Sequence, residues 1–158
     1  MVRKSIIGVI GAGNASRDLD SAYQVGRLIA EKGAVLVCGG LGGVMEAASR
    51  GCVEAGGDVL GILPGNSPQS ANPYVTLPII TDMGHARNVI IAQTASALIA
   101  IEGEYGTLSE IAISLKLRKP VVQLGRWSQL ATTYQADTPA QAVAMAFSAI
   151  EKGYTENE

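Results

Sequence analysis

Three glycine clusters carry most of the chemistry that this sequence can support. They are Gly11-Ala12-Gly13-Asn14-Ala15-Ser16, Gly39-Gly40-Leu41-Gly42-Gly43 and Glu102-Gly103-Glu104-Tyr105-Gly106-Thr107. Each follows a short apolar run and precedes a segment of helical period. Glycine lets a backbone approach a ligand closely. The unpaired N–H groups of a helix N-terminus, with the positive end of the helix dipole, favour an anion. Phosphate is the anion such turns suit. One cluster is explained as well by a tight turn. Three at the ends of parallel strands share one sheet edge and point to a ligand cleft there.

Outside the clusters, Arg87 lies near the start of a helical segment, where a cation opposes the dipole. It suits a phosphate held by the guanidinium fork, a salt bridge to Glu110 or Glu104, or a solvated surface. His85 is either a pH-sensitive ligand contact or an ordinary polar surface group. Thr107-Leu108-Ser109-Glu110 has the spacing of a capping box, in which Thr107 and Glu110 satisfy each other's backbone N–H groups. Glu110 could equally support water attack on a sugar, and the two roles are compatible. Cys38 and Cys52 read as small buried thiols, Cys38 near enough to the second cluster to touch a ligand. Glu46, Arg50 and Glu54 recur every four residues, as on a solvated helix face. Trp127 packs over the sheet edge or at a subunit contact.

Several chemistries are excluded. The dinucleotide fingerprint fails because Ser16 stands at the third glycine position and Cys38-Gly39, not an acid, closes the second strand. No Gly-Lys-Ser/Thr follows a glycine run, and no Gly-x-Ser-x-Gly elbow is present. One His and two Cys make no zinc cluster, so no metal site is expected. With Lys+Arg 12 against Asp+Glu 14 the net charge is −2, which leaves no broad basic face for nucleic acid.

The elements that must position these residues follow from the apolar pattern. Hydrophobic residues are 47% and charged residues 16% of 158, a composition that folds into a core rather than staying disordered. Strands are expected at residues 5–10, 34–38, 59–63, 96–101 and 121–124, with weaker extended segments at 74–80 and 133–135. Helices are expected at 18–32, 44–55, 83–95, 107–118 and 139–152, a loop at 66–73, a turn at 126–130 and a frayed tail at 155–158. Short, continuously apolar strands alternating with helices predict an α/β, doubly wound, mostly parallel sheet, a Rossmann-like three-layer sandwich formed as one domain over residues 1–158. The apolar start breaks at Gly11, too early for a signal peptide, and no apolar run reaches membrane-spanning length. With no disulfide framework, a reducing cytoplasmic setting without a membrane partner is expected.

Gly39-Gly40-Leu41-Gly42-Gly43-Val44-Met45-Glu46, then Ala86-Arg87-Asn88, then Gly103-Glu104-Tyr105-Gly106-Thr107-Leu108-Ser109-Glu110 resembles the LOG-like superfamily over residues 5–125. Two branches bear on function. Phosphoribohydrolases cleave the N-glycosidic bond of nucleoside 5′-monophosphates, releasing free base and ribose 5-phosphate. Molybdenum cofactor carrier proteins bind a phosphorylated pterin. Against the hydrolase pattern Pro-Gly-Gly-x-Gly-Thr-x-x-Glu, Gly103, Gly106, Thr107 and Glu110 match, and Arg87 matches the catalytic arginine. Glu102, Glu104 and Asn88 depart from it, replacing Pro, Gly and a second cation, and Met45-Glu46 departs from the usual Met-Gly. These departures favour the carrier branch.

The resemblance implies a binding protein for a phosphate-bearing heterocycle, either a molybdopterin-type cofactor or a nucleoside monophosphate, with no cofactor needed for catalysis. Its ligand-binding residues would be Gly11, Gly13, Asn14, Ser16, Gly39, Gly40, Gly42, Gly43, Met45, Arg87, Asn88, Gly103, Gly106 and Thr107. In the hydrolase alternative Arg87 and Glu110 would be catalytic. A homodimer or higher homo-oligomer is implied as well, with Leu108, Ile111, Ala112 and Leu115 serving core and partner. The lysine decarboxylase label that members of this superfamily have carried is rejected on chemistry, since no lysine falls at a predicted strand-end cleft to hold a pyridoxal group.

Overall fold

A computed structural model describes residues 1–125 and 133–155. The expected turn around Trp127 and the last residues of the tail lie outside the described residues. Strands β1 (Ile6–Gly11), β2 (Val35–Cys38), β3 (Val59–Leu63), β4 (Leu77–Ile80), β5 (Ala97–Ile101), β6 (Val121–Leu124) and β7 (Tyr134–Gln135) form one sheet in the order β4-β3-β2-β1-β5-β6-β7. Every neighbouring pair is parallel. The helices are α1 (Leu19–Glu31), α2 (Val44–Glu54), α3 (Arg87–Thr94), α4 (Tyr105–Lys116) and α5 (Pro139–Thr155).

Side chains alternate across the sheet, as strand geometry requires. Ile7 and Val9 of β1 point, with Ala97 and Ile99 of β5, to the core under α1, α2 and α5. Ile10, Val37, Leu98 and Ala100 point the other way, to Ile91 of α3 and Ile111 of α4. The result is the doubly wound three-layer sandwich expected from the sequence. α4 uses Ile111 in this core with Leu115 packed against it, and Ala112 is exposed.

The chain winds outward from β1 to β4 and returns through α3 to β5, on the other side of β1. The strand order therefore reverses between β1 and β5, and a crevice opens at the carboxyl ends of these two strands. Several element ends differ from expectation. The segment read as a helix from 83 is a short 3-10 turn, Gly84–Ala86, running into α3. Positive φ at Asp82 (53°) and Gly84 (56°) turns the chain there. The extended segment at 74–80 pairs only over 77–80, as an edge strand holding Pro78.

α4 begins at Tyr105, two residues before the expected start, and this overturns the capping box. The N-cap is Glu104, so Thr107 lies inside the first turn and Glu110 in the second. Glu110 cannot reach back to a cap at Thr107, and its carboxyl is turned inward, 8% exposed.

Candidate functional site

The reversal between β1 and β5 brings the first and third glycine turns together, and the second closes against the first. A Cβ on Gly11 would meet the Ile101 carbonyl at 2.7 Å and Val44 Cγ1 at 2.6 Å, and one on Gly43 would meet the Ala12 carbonyl at 2.3 Å. The Val44 N–H donates to the Ala12 carbonyl at 3.1 Å, tying the start of α2 to the first turn. A cleft of about 250 Å³ opens between the three turns. Of the residues singled out from sequence, Gly11, Gly13, Asn14, Met45, Arg87, Asn88, Gly106, Thr107 and Glu110 line it.

The remaining candidates stand behind or beside it. Gly39 lies behind Arg87 and Met45, Gly40 against Leu63, Gly42 beside the Gly13 carbonyl and Gly103 beneath Thr107. They let the lining residues pack closely. Ser16 lies in a neighbouring cavity of about 470 Å³, with Glu102 and Gly103, which shares Ala12, Asn14 and Glu104 with the cleft. The cleft also includes Ala12, Leu41, His85 and Glu104, outside the binding set expected from sequence. Leu41 sits inside the second glycine run, and that position was the signal available for it. Cys38 is fully buried, hydrogen-bonded with Ser49 Oγ at 3.6 Å and accepting from the Gly40 N–H at 3.4 Å, so the space-filling reading holds. The Glu46, Arg50, Glu54 face is largely solvated, although Glu54 accepts from the Tyr23 hydroxyl at 2.6 Å and Arg50 lies 5.0 Å over the Tyr23 ring.

Arg87 is positioned by carbonyls rather than by an acid. Its Nε donates to the Ile62 carbonyl at 2.8 Å, one Nη to the Asn88 amide oxygen and the other to the Gly39 carbonyl at 3.4 Å. The loop before it is latched to the end of β3. Thr81 Oγ1 donates to the Leu63 carbonyl at 2.7 Å, and the Gly84 N–H donates to the Pro64 carbonyl at 2.9 Å. The residue is 7% exposed, which removes the solvated-surface alternative. The salt-bridge alternative is not found either, since the one ion pair within 4 Å among the described residues joins Arg27 and Glu31.

Three of the five guanidinium N–H groups are used in these contacts, leaving two for a ligand. Asn88 passes the network on, its amide donating to Ser109 Oγ of α4 at 3.2 Å. The side chain that replaces the hydrolases' second cation thus links α3 to α4.

Glu110 faces Arg87 across this cleft. Burial pushes its carboxyl up to about 8, and the attraction of Arg87 only partly opposes this. At neutral pH it is a neutral acid. Burial lowers the Arg87 guanidinium from its ordinary value, while Glu110 and Cys38 act to raise it. An arginine so placed stays charged at neutral pH. Arg87 is therefore a buried cation without a carboxylate partner, and the first N–H groups of α4 beside it have no acceptor within their own helix. Together they suit an oxyanion.

This fold and cleft define a doubly wound α/β protein of the LOG-like superfamily. The chain belongs to the SLOG cluster4 family, whose model matches residues 4–151. It is similar to the molybdenum cofactor binding protein of Rippkaea orientalis, at 38% identity and a TM-score of 0.89 over 95% of this chain and 99% of that one. It is similar also to the Moco carrier protein of Chlamydomonas reinhardtii, at 36% identity and a TM-score of 0.85 over 95% and 99%. A cytokinin riboside 5′-monophosphate phosphoribohydrolase of Rhodococcoides fascians is 32% identical over 114 residues, 68% of this chain and 57% of that protein. The chain thus spans little more than half the length of that enzyme. Among the described residues, no helix is long and apolar enough to cross a membrane.

Proposed function

We propose that this chain is a binding protein for a phosphate-bearing heterocycle, similar to the molybdenum cofactor carriers. The observation that carries the reading is Arg87, a buried cation fixed by carbonyl oxygens and facing a neutral acid beside the open end of α4. That pairing attracts an anion. A raised, protonated carboxyl is also the form a general acid for glycosidic cleavage takes, so the preference over the hydrolase rests on the comparisons rather than on Glu110. Near full-length similarity to two molybdenum cofactor binding proteins supports the carrier.

In this reading the N–H groups of α4 and of the turn at 11–14 hold the phosphate, Arg87 supplies charge and Thr107 a hydroxyl. The molybdopterin-type cofactor is cargo. The polar lining at Asn14 and Glu104 and the adjoining cavity give it hydrogen-bonding room beyond the phosphate. Native mass spectrometry of freshly purified protein should find a retained phosphorylated ligand, and Arg87→Ala should lose it.

The second reading, a nucleoside 5′-monophosphate phosphoribohydrolase, draws on the Rhodococcoides fascians enzyme and on Arg87 and Glu110 at one cleft. Incubation with AMP decides between the two. Release of free base and ribose 5-phosphate would establish turnover and remove the carrier reading.

The proposal includes a homodimer or higher homo-oligomer in the cytoplasm. Exposed Leu77, Ile79 and Ile80 on edge strand β4 supply apolar area for a second copy. Light scattering on the purified protein tests it, and a monomer at all concentrations would refute it.

A further inference from the structure

The Glu110 carboxyl is more than nine-tenths buried, lines the cleft, and among the described residues no hydrogen bond to it is found. A buried polar group without a partner is costly, of order 1–3 kcal/mol for a neutral one. A side chain kept in that state at a cavity wall implies a partner that arrives with the ligand. The charged and titratable groups around it come from every neighbouring element. Arg87 at the start of α3 attracts it, and Cys38 at the end of β2 lies close enough for its thiol to be raised by the Glu110 charge. His85 in the 3-10 turn and Glu104 before α4 line the cleft mouth, both exposed. Arg87 makes the cleft attractive to oxyanions, and an ionised carboxylate at its side would repel them. A neutral carboxyl instead has an O–H to give.

We propose that Glu110, in its protonated form, donates a hydrogen bond to the same oxyanion that Arg87 attracts, so that the cleft binds a phosphate ester with its proton and releases it when that proton is lost. This rests on the phosphate-binding reading above and adds to it a proton gate at the phosphate. The proton is shared in a hydrogen bond and not transferred, so no covalent step is involved. The raised proton affinity of Glu110, to about 8 in the empty cleft, sets where the gate acts.

A phosphate monoester loses its second proton near pH 6, so the charge of AMP and of ribose 5-phosphate is nearly constant above pH 7. Inorganic phosphate still titrates near neutrality and is compared from pH 8 upward only. A change in affinity centred near 8 then belongs to the protein. Only the fraction with Glu110 protonated is competent, and this fraction is about 0.03 at pH 9.5. Affinity should fall roughly 30-fold between pH 7 and pH 9.5.

Calorimetric titration with AMP and ribose 5-phosphate at pH 7, 8, 9 and 9.5, and with inorganic phosphate at pH 8, 9 and 9.5, in buffers of differing ionisation enthalpy, tests this. For the wild-type chain the expected results are the fall in affinity and an uptake approaching one proton per ligand at pH 9. Glu110→Gln keeps an N–H donor but cannot titrate. It should bind at pH 7 and show neither the fall nor the uptake. His85→Gln should retain both. The three probes separate a gate on the phosphate group itself from one on the rest of the ester.

A flat wild-type profile, or a fall that persists in Glu110→Gln, overturns the gate. If Arg87→Ala then still abolishes binding, the phosphate-binding reading survives that outcome. If no probe binds the wild-type chain at any pH, the reading and the gate fail together.

Discussion

Gly39 and Arg87 are matched in shape: a methyl group on Gly39 would lie 2.6 Å from Nη2 of Arg87 and 2.8 Å from Met45 Sδ. The absence of a side chain at Gly39 leaves the room the guanidinium occupies beyond the end of β2. Gly39→Ala should therefore fold, with a stability cost of about 1–3 kcal/mol for the overpacking. The guanidinium would be pushed from its carbonyl partners, and affinity for a phosphate ester should drop about 10–100-fold, the worth of one or two charged hydrogen bonds. Unchanged affinity in a folded Gly39→Ala protein would show that Arg87 does not hold the ligand.

Gly106 gives the complementary test. It sits in the first turn of α4 at the cleft wall, and a Cβ there meets nothing within 4 Å. Gly106→Ala should leave stability unchanged or raise it by about 0.5–1 kcal/mol, since Ala is the better helix former. The same methyl takes space at the amides proposed for the phosphate, so ligand affinity should fall while the melting temperature does not. Equal affinity in parent and variant would move the ligand away from the end of α4.

The Glu110 carboxyl also links stability to pH. Its value in the folded chain, about 8, lies above the roughly 4.3 of an unfolded chain. Between these values the folded state holds more protons, so its stability falls as pH rises. The contribution is complete below about 4.3 and lost as pH rises through 8, amounting to at most about 5 kcal/mol. Urea unfolding of the wild-type chain and Glu110→Gln at pH 5, 6.5, 8 and 9 should show the wild type losing ground to the variant across this range. A constant difference between the two would mean that Glu110 is ionised throughout.

Two further glycines set the packing behind the site without touching it. A Cβ on Gly26 of α1 would lie 1.9 Å from the Ala48 carbonyl oxygen, and one on Gly51 of α2 would lie 2.0 Å from the Tyr23 carbonyl oxygen. The two helices meet backbone to backbone. Gly26→Ala or Gly51→Ala must separate them and should destabilise the fold by at least about 1–3 kcal/mol, measurable as a lower urea midpoint. Retained wild-type stability in both would mean that the helices have room to separate at little cost.

What the sequence determined by itself was local in origin. Short apolar runs such as residues 97–101, alternating with helical segments and bounded by turn signals, read as parallel strands covered on both faces, and the glycine turns that follow such strands share one edge. That reasoning gave the sheet, the layers and the cleft. Tertiary structure decided how the polar groups there are used. Thr107 and Glu110 have the spacing of a cap, yet α4 starts earlier, at Tyr105, and turns Glu110 toward Arg87. From sequence Arg87 is open between a phosphate contact, a salt bridge and a solvated surface, and the crossover from β4 decides by burying it against Ile62 and Gly39 from two other strand ends. Charge state and hydrogen-bond partners depend on groups far apart in the chain, and only the folded sheet brings those together.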